Sequence, residues 1–254
     1  MNTLTILRKE LNSYFRSPIA YGVMFFFAVI AGYFFYVYTV SFVQYSIQSS
    51  MTGQSAPMSV NDQMIRPLLS NLAVIGLFFI PIITMRLFAE EKRSGTFELL
   101  ATSPVHDMEI ILGKWLAAVV LYAAMLGISF VSMATLFAYG KPDWRPLLVG
   151  YLGLLLQGGC LLAIGTYISS CTRNQIVAAV GTFSVLLMLW VIDWVGSFQD
   201  TPLAKATAYL SVTQHFDSFS KGVLDSKDVL YYVSMIFIGL FLTARSLESL
   251  RWRA

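Results

Sequence analysis

Apolar residues in this chain fall into long blocks rather than into stripes. Six blocks stand out, at about 19–43, 68–87, 110–137, 147–168, 176–194 and 229–244. A helix rises 1.5 Å per residue, so about 20 apolar residues cross a hydrocarbon core of about 30 Å. The last block is about 16 residues long before Arg245. That is at the short edge, and Ser246, Leu247 and Leu250 carry the helix on into the interface. The pattern predicts an all-α polytopic membrane protein with six transmembrane helices, organised as one transmembrane domain over residues 1–254. Pro81 marks a kink in the second span.

The segment before the first block, 1–17, has a different period. Leu4, Leu7, Leu11, Tyr14 and Phe15 share one helical face, and Arg8, Lys9, Asn12 and Arg16 share the other. Such a helix lies in the headgroup plane until Ser17-Pro18 breaks it. Its polar start and the length of the block that follows argue against a cleaved signal peptide.

Composition agrees with lipid as the solvent. Hydrophobic residues make up 57% of the chain and charged residues 12%, too few charges to clothe a water-soluble domain of this size. The net charge of +3, without a basic run on a polar background, gives no footprint for nucleic acid. Cys160 and Cys171 lack the spacing of a metal site and cannot bridge along one helix, so both read as small hydrophobes.

Orientation follows from the cations between spans. With the N-terminus inside, the inner connections hold Arg8, Lys9, Arg16, Arg86, Lys92, Arg93, Lys114, Arg173, Arg245, Arg251 and Arg253. The outer ones hold Arg66, Lys141, Arg145, Lys205, Lys221 and Lys227. Eleven of the 17 Lys and Arg residues then lie inside, which favours N-in and C-in. Two outer connections are long. Residues 44–67 read as a loop or short helix, and 196–228 as short helices resting on the outer leaflet.

The substantial inner connection, 86–113, is where function is expected. Glu90, Glu91, Lys92 and Arg93 read as a charged, solvated end of the second span. Gly95 suits a helix C′ position with positive φ. Thr96 then caps a short new helix with Glu98 in its first turn. That helix presents Phe97, Leu99 and Leu100 and stops at Ser103-Pro104. It is either an amphipathic turn on the inner membrane surface or a docking knob for a cytosolic partner, since exposed Phe and Leu want a cover.

Enzymatic readings find little support. No Gly-x-x-x-x-Gly-Lys-Ser/Thr run is present, so the chain has no loop to cradle ATP phosphates, and Gly113-Lys114 reads as a helix start. Gly127-Ile128-Ser129 is followed by Phe130 rather than by the glycine of an intramembrane serine protease, and no span contains a histidine to serve as base. Asp193 beside Trp194 reads as a solvated interfacial carboxylate. A secondary transporter or channel would need interrupted helices and ionisable residues at mid-span, for which only Gln157 and Pro81 stand as candidates. The small residues Gly158, Gly159, Ala163 and Gly165, with Ala178, Ala179 and Gly181, permit close helix packing.

The inner run Glu-Glu-Lys-Arg-Ser-Gly-Thr-Phe-Glu-Leu-Leu at 90–100, with Ser-Pro and Gly-Lys after it, resembles the permease subunits of type-2 ABC transporters. It is most similar to those associated with gliding motility and with nitrous-oxide-reductase maturation. The likeness extends over the chain, including the outer stretch 210–225. It implies a half-transporter in a prokaryotic cytoplasmic (inner) membrane. The partners it implies are a second permease subunit, the same chain or a paralogue, and a cytosolic ABC ATPase dimer, and it leaves room for an outer-side auxiliary subunit. Gly95, Thr96, Phe97, Glu98, Leu99 and Leu100 would form the coupling helix that docks on the ATPase, with Glu90 to Arg93 as its approach. This chain would bind no cofactor, ATP and Mg residing on the ATPase. It would serve export or mechanical work on an outer partner, against the alternative of an ATP-independent transporter.

Overall fold

The computed structural model describes residues 2–52, 59–96, 105–139, 142–198 and 209–251. Nine α-helices and one π turn are found among them. These are α1 (Asn2–Arg16), α2 (Pro18–Thr52), the π turn (Asn61–Ile65), α3 (Arg66–Thr84), α4 (Ala89–Ser94), α5 (Asp107–Tyr139), α6 (Trp144–Cys171), α7 (Gln175–Phe198), α8 (Val212–Ser220) and α9 (Ser226–Arg251). Six stretches are long and apolar enough to cross a membrane: α2, the π turn through α4, α5, α6, α7 and α9. The chain is an all-α polytopic membrane protein, as its blocks predict.

The break between α1 and α2 is set locally. Pro18 begins α2, where its missing N–H costs nothing. The Ser17 hydroxyl accepts from the Ile19 amide at 3.3 Å, and the Ser17 amide donates to the Tyr14 carbonyl at 3.1 Å. The chain thus turns from a helix lying on the bundle to one running along it. The end of the bundle that carries α1 and α4 is termed the α1 side, and the other end the far side.

α3 is the central helix. In its most apolar window 72% of residues are buried, against 11% for α2 and 17% for α7. Leu69, Leu72 and Ile80 of α3 are fully enclosed. α5 and α6 approach closely because Gly158 has no side chain: a Cβ there would stand 2.1 Å from the Tyr122 ring. Close approach of this kind is what small residues contribute between helices that have lipid, not water, to escape from. Gln157 is buried beside it, and Cys160 is a buried free thiol while Cys171 is exposed.

Two expectations are corrected. Residues 44–52, read with the rest of 44–67 as a loop or short helix, are helical but not a separate element: α2 runs on to Thr52, because no Gly or Pro interrupts Tyr33 to Thr52 and Ser and Gln are tolerated in a helix. Nor does the second span continue unbroken into its charged end. The helix gives way to a turn at Met85–Phe88 before α4 begins. The side chains of Asp193 and Trp194, in α7, lie outside the described residues, as do 199–208.

Candidate functional site

The break between α3 and α4 frees backbone amides, and α6 supplies their partner. The Ser169 hydroxyl accepts from Phe88 N at 3.2 Å and from Ala89 N at 3.3 Å, and donates to the Met85 carbonyl at 3.4 Å. One buried hydroxyl therefore satisfies both helix ends at the break. Lys92 donates to the neighbouring Ser170 carbonyl. Arg86 grips Glu90 through two hydrogen bonds of 2.8 and 3.1 Å across one helical turn. α4 is thereby fixed to α6 and to the end of α3.

Lys114 of α5 completes the arrangement. Its side chain is 2% exposed, and its ammonium lies 2.8 Å from Glu91 of α4 and 2.9 Å from Glu10 of α1. It also sits 5.4 Å from the centroid of the Phe88 ring. Lys9 adds a longer 3.8 Å contact to Glu91. A buried ammonium is tolerable only when carboxylates replace its water, and here two do so. α1 can reach this position because the preceding residue is Gly113, where a Cβ would stand 2.7 Å from Ile6. Asn2 holds the tip of α1 by donating to Glu109 at 3.0 Å.

The predicted site residues divide accordingly. Glu90 to Arg93 lie on α4, but they are not simply a solvated helix end. Glu91 and Lys92 are engaged inward, because the turn at 85–88 swings α4 back against α6. Gly95 has φ 74°, the left-handed conformation that ends a helix and favours glycine. The Thr96 hydroxyl lies 2.8 Å from that of Ser94. Phe97, Glu98, Leu99 and Leu100 lie outside the described residues, as does the short helix expected there.

Lys114 is the residue that sequence reasoning passed over. Its signal was available: a lone cation within an apolar helix start, which in a membrane segment points to a specific role.

A second polar cluster closes the far side. Ser211 caps α8 by accepting from the Gln214 amide at 3.4 Å. His215 is buried on α8, with Nδ1 2.7 Å from the Asp228 carboxylate and Nε2 3.0 Å from the Tyr209 carbonyl. Its ring stacks on Tyr231 at 3.9 Å. Tyr231 and Tyr232 donate to the Leu210 and Val212 carbonyls, each at 2.8 Å. Arg66 and Lys221 converge on Asp217 at 2.8 and 2.5 Å. Partial burial alone would raise the Asp217 carboxyl, but these two hydrogen-bonded cations outweigh it and hold it below the usual carboxylate range.

The described residues hold no group of three or more His, Cys, Asp or Glu able to bind a metal ion. The arrangement is a braced helix end beside a membrane bundle.

The chain is 24% identical over 156 residues to the probable multidrug ABC transporter permease YbhR of Escherichia coli K12, and equally to that of Escherichia coli O157:H7. The alignment covers 61% of this chain and 42% of those relatives, so the chain spans less than half the length of the curated proteins it matches. The sequence profile described as ABC-2 family transporter protein matches residues 4–245, nearly the whole chain. The chain belongs to the ABC-2 family of transporter proteins and is a multi-pass membrane permease.

Proposed function

We propose that this permease couples ATP hydrolysis by a separate cytosolic ATPase dimer to export, or to mechanical work on an outer-side partner. The α1 side faces the cytosol, with both termini inside, in a prokaryotic cytoplasmic membrane. Residues Gly95 to Leu100 dock on the ATPase, and Glu90 to Arg93 carry the motion to the bundle. ATP and Mg belong to the ATPase.

The observation that carries this reading is the bracing of α4. Ser169, Ser170 and Lys114 tie it to α6, α5 and α1 at once, so a push on residues 97–104 would move several spans together rather than bend a loose loop. Rigid-body rocking of spans is how such a push becomes transport.

The test is co-purification. The detergent-solubilised permease should bring down an ATPase, and Phe97→Asp should lose it while inserting normally. Burying an unpaired carboxylate costs several kcal/mol, and interface aromatics are worth roughly 2 kcal/mol or more. Undiminished ATPase binding by Phe97→Asp would remove the docking assignment. Hydrolysis of ATP by the isolated chain would remove the half-transporter reading.

A further inference from the structure

Beside the Lys114 brace, the α1 side holds a cavity of about 170 Å³. Its polar end is lined by Glu10, Glu91 and Lys114, and by the Arg86–Glu90 pair. Its other end is apolar, walled by Ile19, Ala20 and Val23 of α2, by Ile82 and Ile83 of α3, and by Leu121 of α5. Leu121 follows Lys114 by about two helical turns, roughly 10 Å further along the span. Ile19 and Ile82 are 47% and 38% exposed, so the apolar end opens sideways, toward lipid. One span begins at Pro18 and the helix of another ends at Thr84. The cavity therefore sits at the boundary between headgroups and acyl chains.

The Glu91 carboxylate spends only one oxygen on cations, Oε1 lying 2.8 Å from Lys114 and 3.8 Å from Lys9. Its other oxygen, Oε2, is enclosed and meets no donor among the described residues. An enclosed carboxylate oxygen without a donor is costly, so the cavity calls for a guest with N–H or O–H groups. The charges around it also cancel, with Lys9, Arg86 and Lys114 standing against Glu10, Glu90 and Glu91. Purely basic pockets at a membrane surface select anionic headgroups, whereas a balanced one favours a guest of zero net charge. A water would supply the donor, but it takes only about 30 Å³ and leaves the apolar end unused. An adjoining open hollow, lined by Lys9, Asn12, Ser13, Arg16 and Ser17, shares Lys9, Ser13 and Ser17 with the cavity. Its two cations and its hydroxyls suit a phosphate.

We propose that this cavity binds one phospholipid whose head joins a primary ammonium to a phosphate, the phosphatidylethanolamine class. The ammonium donates to Glu91 Oε2, the phosphate lies by Lys9 and Arg16, and an acyl chain follows Ile19, Val23 and Ile82 into the bilayer. A zwitterion leaves the charge balance of the site unchanged, and a primary ammonium carries the hydrogens that Oε2 lacks. Held there, the lipid touches α1, α2, α3 and α4 and becomes part of the brace. The site is the same whichever side of the membrane faces the cytosol, so it stands apart from the docking of an ATPase.

Native mass spectrometry of the delipidated permease, titrated with one lipid at a time, tests the site. Phosphatidylcholine carries the same charges but no N–H, and phosphatidylglycerol carries a net negative charge. Phosphatidylethanolamine should form one saturable adduct and bind about tenfold or more tighter than either, as a hydrogen bond to a charged group allows. Glu91→Gln should erase that preference. Because this change also loosens Lys114, Ile82→Trp serves as a second variant. It fills the mouth from a half-exposed position, keeps every carboxylate, and should lose the adduct while melting like the wild type. Equal binding of the three lipids overturns the proposal, as does tighter binding of phosphatidylglycerol. So does the absence of any saturable adduct, which leaves the cavity to water alone, or a preference that survives intact in Ile82→Trp.

Discussion

The Lys114 ammonium lies 2.8 Å from the Glu91 carboxylate, so the helix that leads into residues 97–104 is locked to the helix that leads out of them. Glu10 accepts from the same ammonium at 2.9 Å, which adds α1 to the lock. Removing Lys114 would leave two enclosed carboxylates facing each other. Breaking a buried ion pair from one side costs about 3–5 kcal/mol. Lys114→Met should therefore lower the melting temperature of the solubilised protein sharply. The triple variant that adds Glu10→Gln and Glu91→Gln should recover much of the loss. A Lys114→Met protein that melts like the wild type would show that the ammonium is not held by these carboxylates.

Ser169 is the hinge cap. Ser169→Ala leaves the Phe88 and Ala89 amides without their acceptor, at a cost of about 1–3 kcal/mol for a buried unsatisfied group. The expected result is local. Hydrogen exchange at Phe88 and Ala89 should accelerate while α9 stays protected, and Ser169→Thr, which keeps the hydroxyl, should exchange like the wild type. Unchanged exchange in Ser169→Ala would mean that the amides find another partner.

The N-in orientation is open to labelling at a native position. Cys171 is exposed at the α1-side end of α6, and Ser50 is exposed near the far end of α2. A membrane-impermeant maleimide added to intact cells should modify Ser50→Cys in a Cys171→Ser background and leave the native Cys171 untouched. The reverse result would invert the topology, and with it the side on which an ATPase must sit.

Asp217 gives a pH prediction on the far side. Its carboxyl is held below the usual range in the fold. The stabilisation it provides is therefore complete above the unfolded value, about 3.9, and is lost as pH falls through the lower folded value. Its side chain is 50% exposed and Arg66 is 37% exposed, so screening by water and salt limits the effect to about 1 kcal/mol or less. The melting-temperature gap between wild type and Asp217→Asn should be small at neutral pH and vanish in acid. A gap that widens in acid would contradict the assigned pairing.

The spans were legible in the sequence because long apolar blocks answer to lipid alone and need no knowledge of their neighbours. Gly95 was legible for the same local reason, its positive φ following from the end of a charged helical turn. Lys114 was not, since its burial depends on Glu10, 104 positions away, and on a bend in the chain at Met85. His215 was hidden by the same kind of distance effect: a nine-residue helix becomes a buried element only when Asp228 and Tyr231 of the next span close over it. The continuity of α2 through 44–52 was not legible because the polar residues there signal exposure, and exposure is compatible with helix when nothing breaks it.

The Ser169 cap also constrains how the protein is made. Phe88 precedes its acceptor by 81 positions, and ribosomes add about 5–20 residues per second. For roughly 4–16 s the amides at the start of α4 thus lack their protein acceptor, while α5 and most of α6 are still to be synthesised. During that interval the nascent second span has to be sheltered by water at the membrane surface or by the insertion machinery. A ribosome stall within residues 105–165 would expose this half-finished turn to the membrane's quality-control proteases.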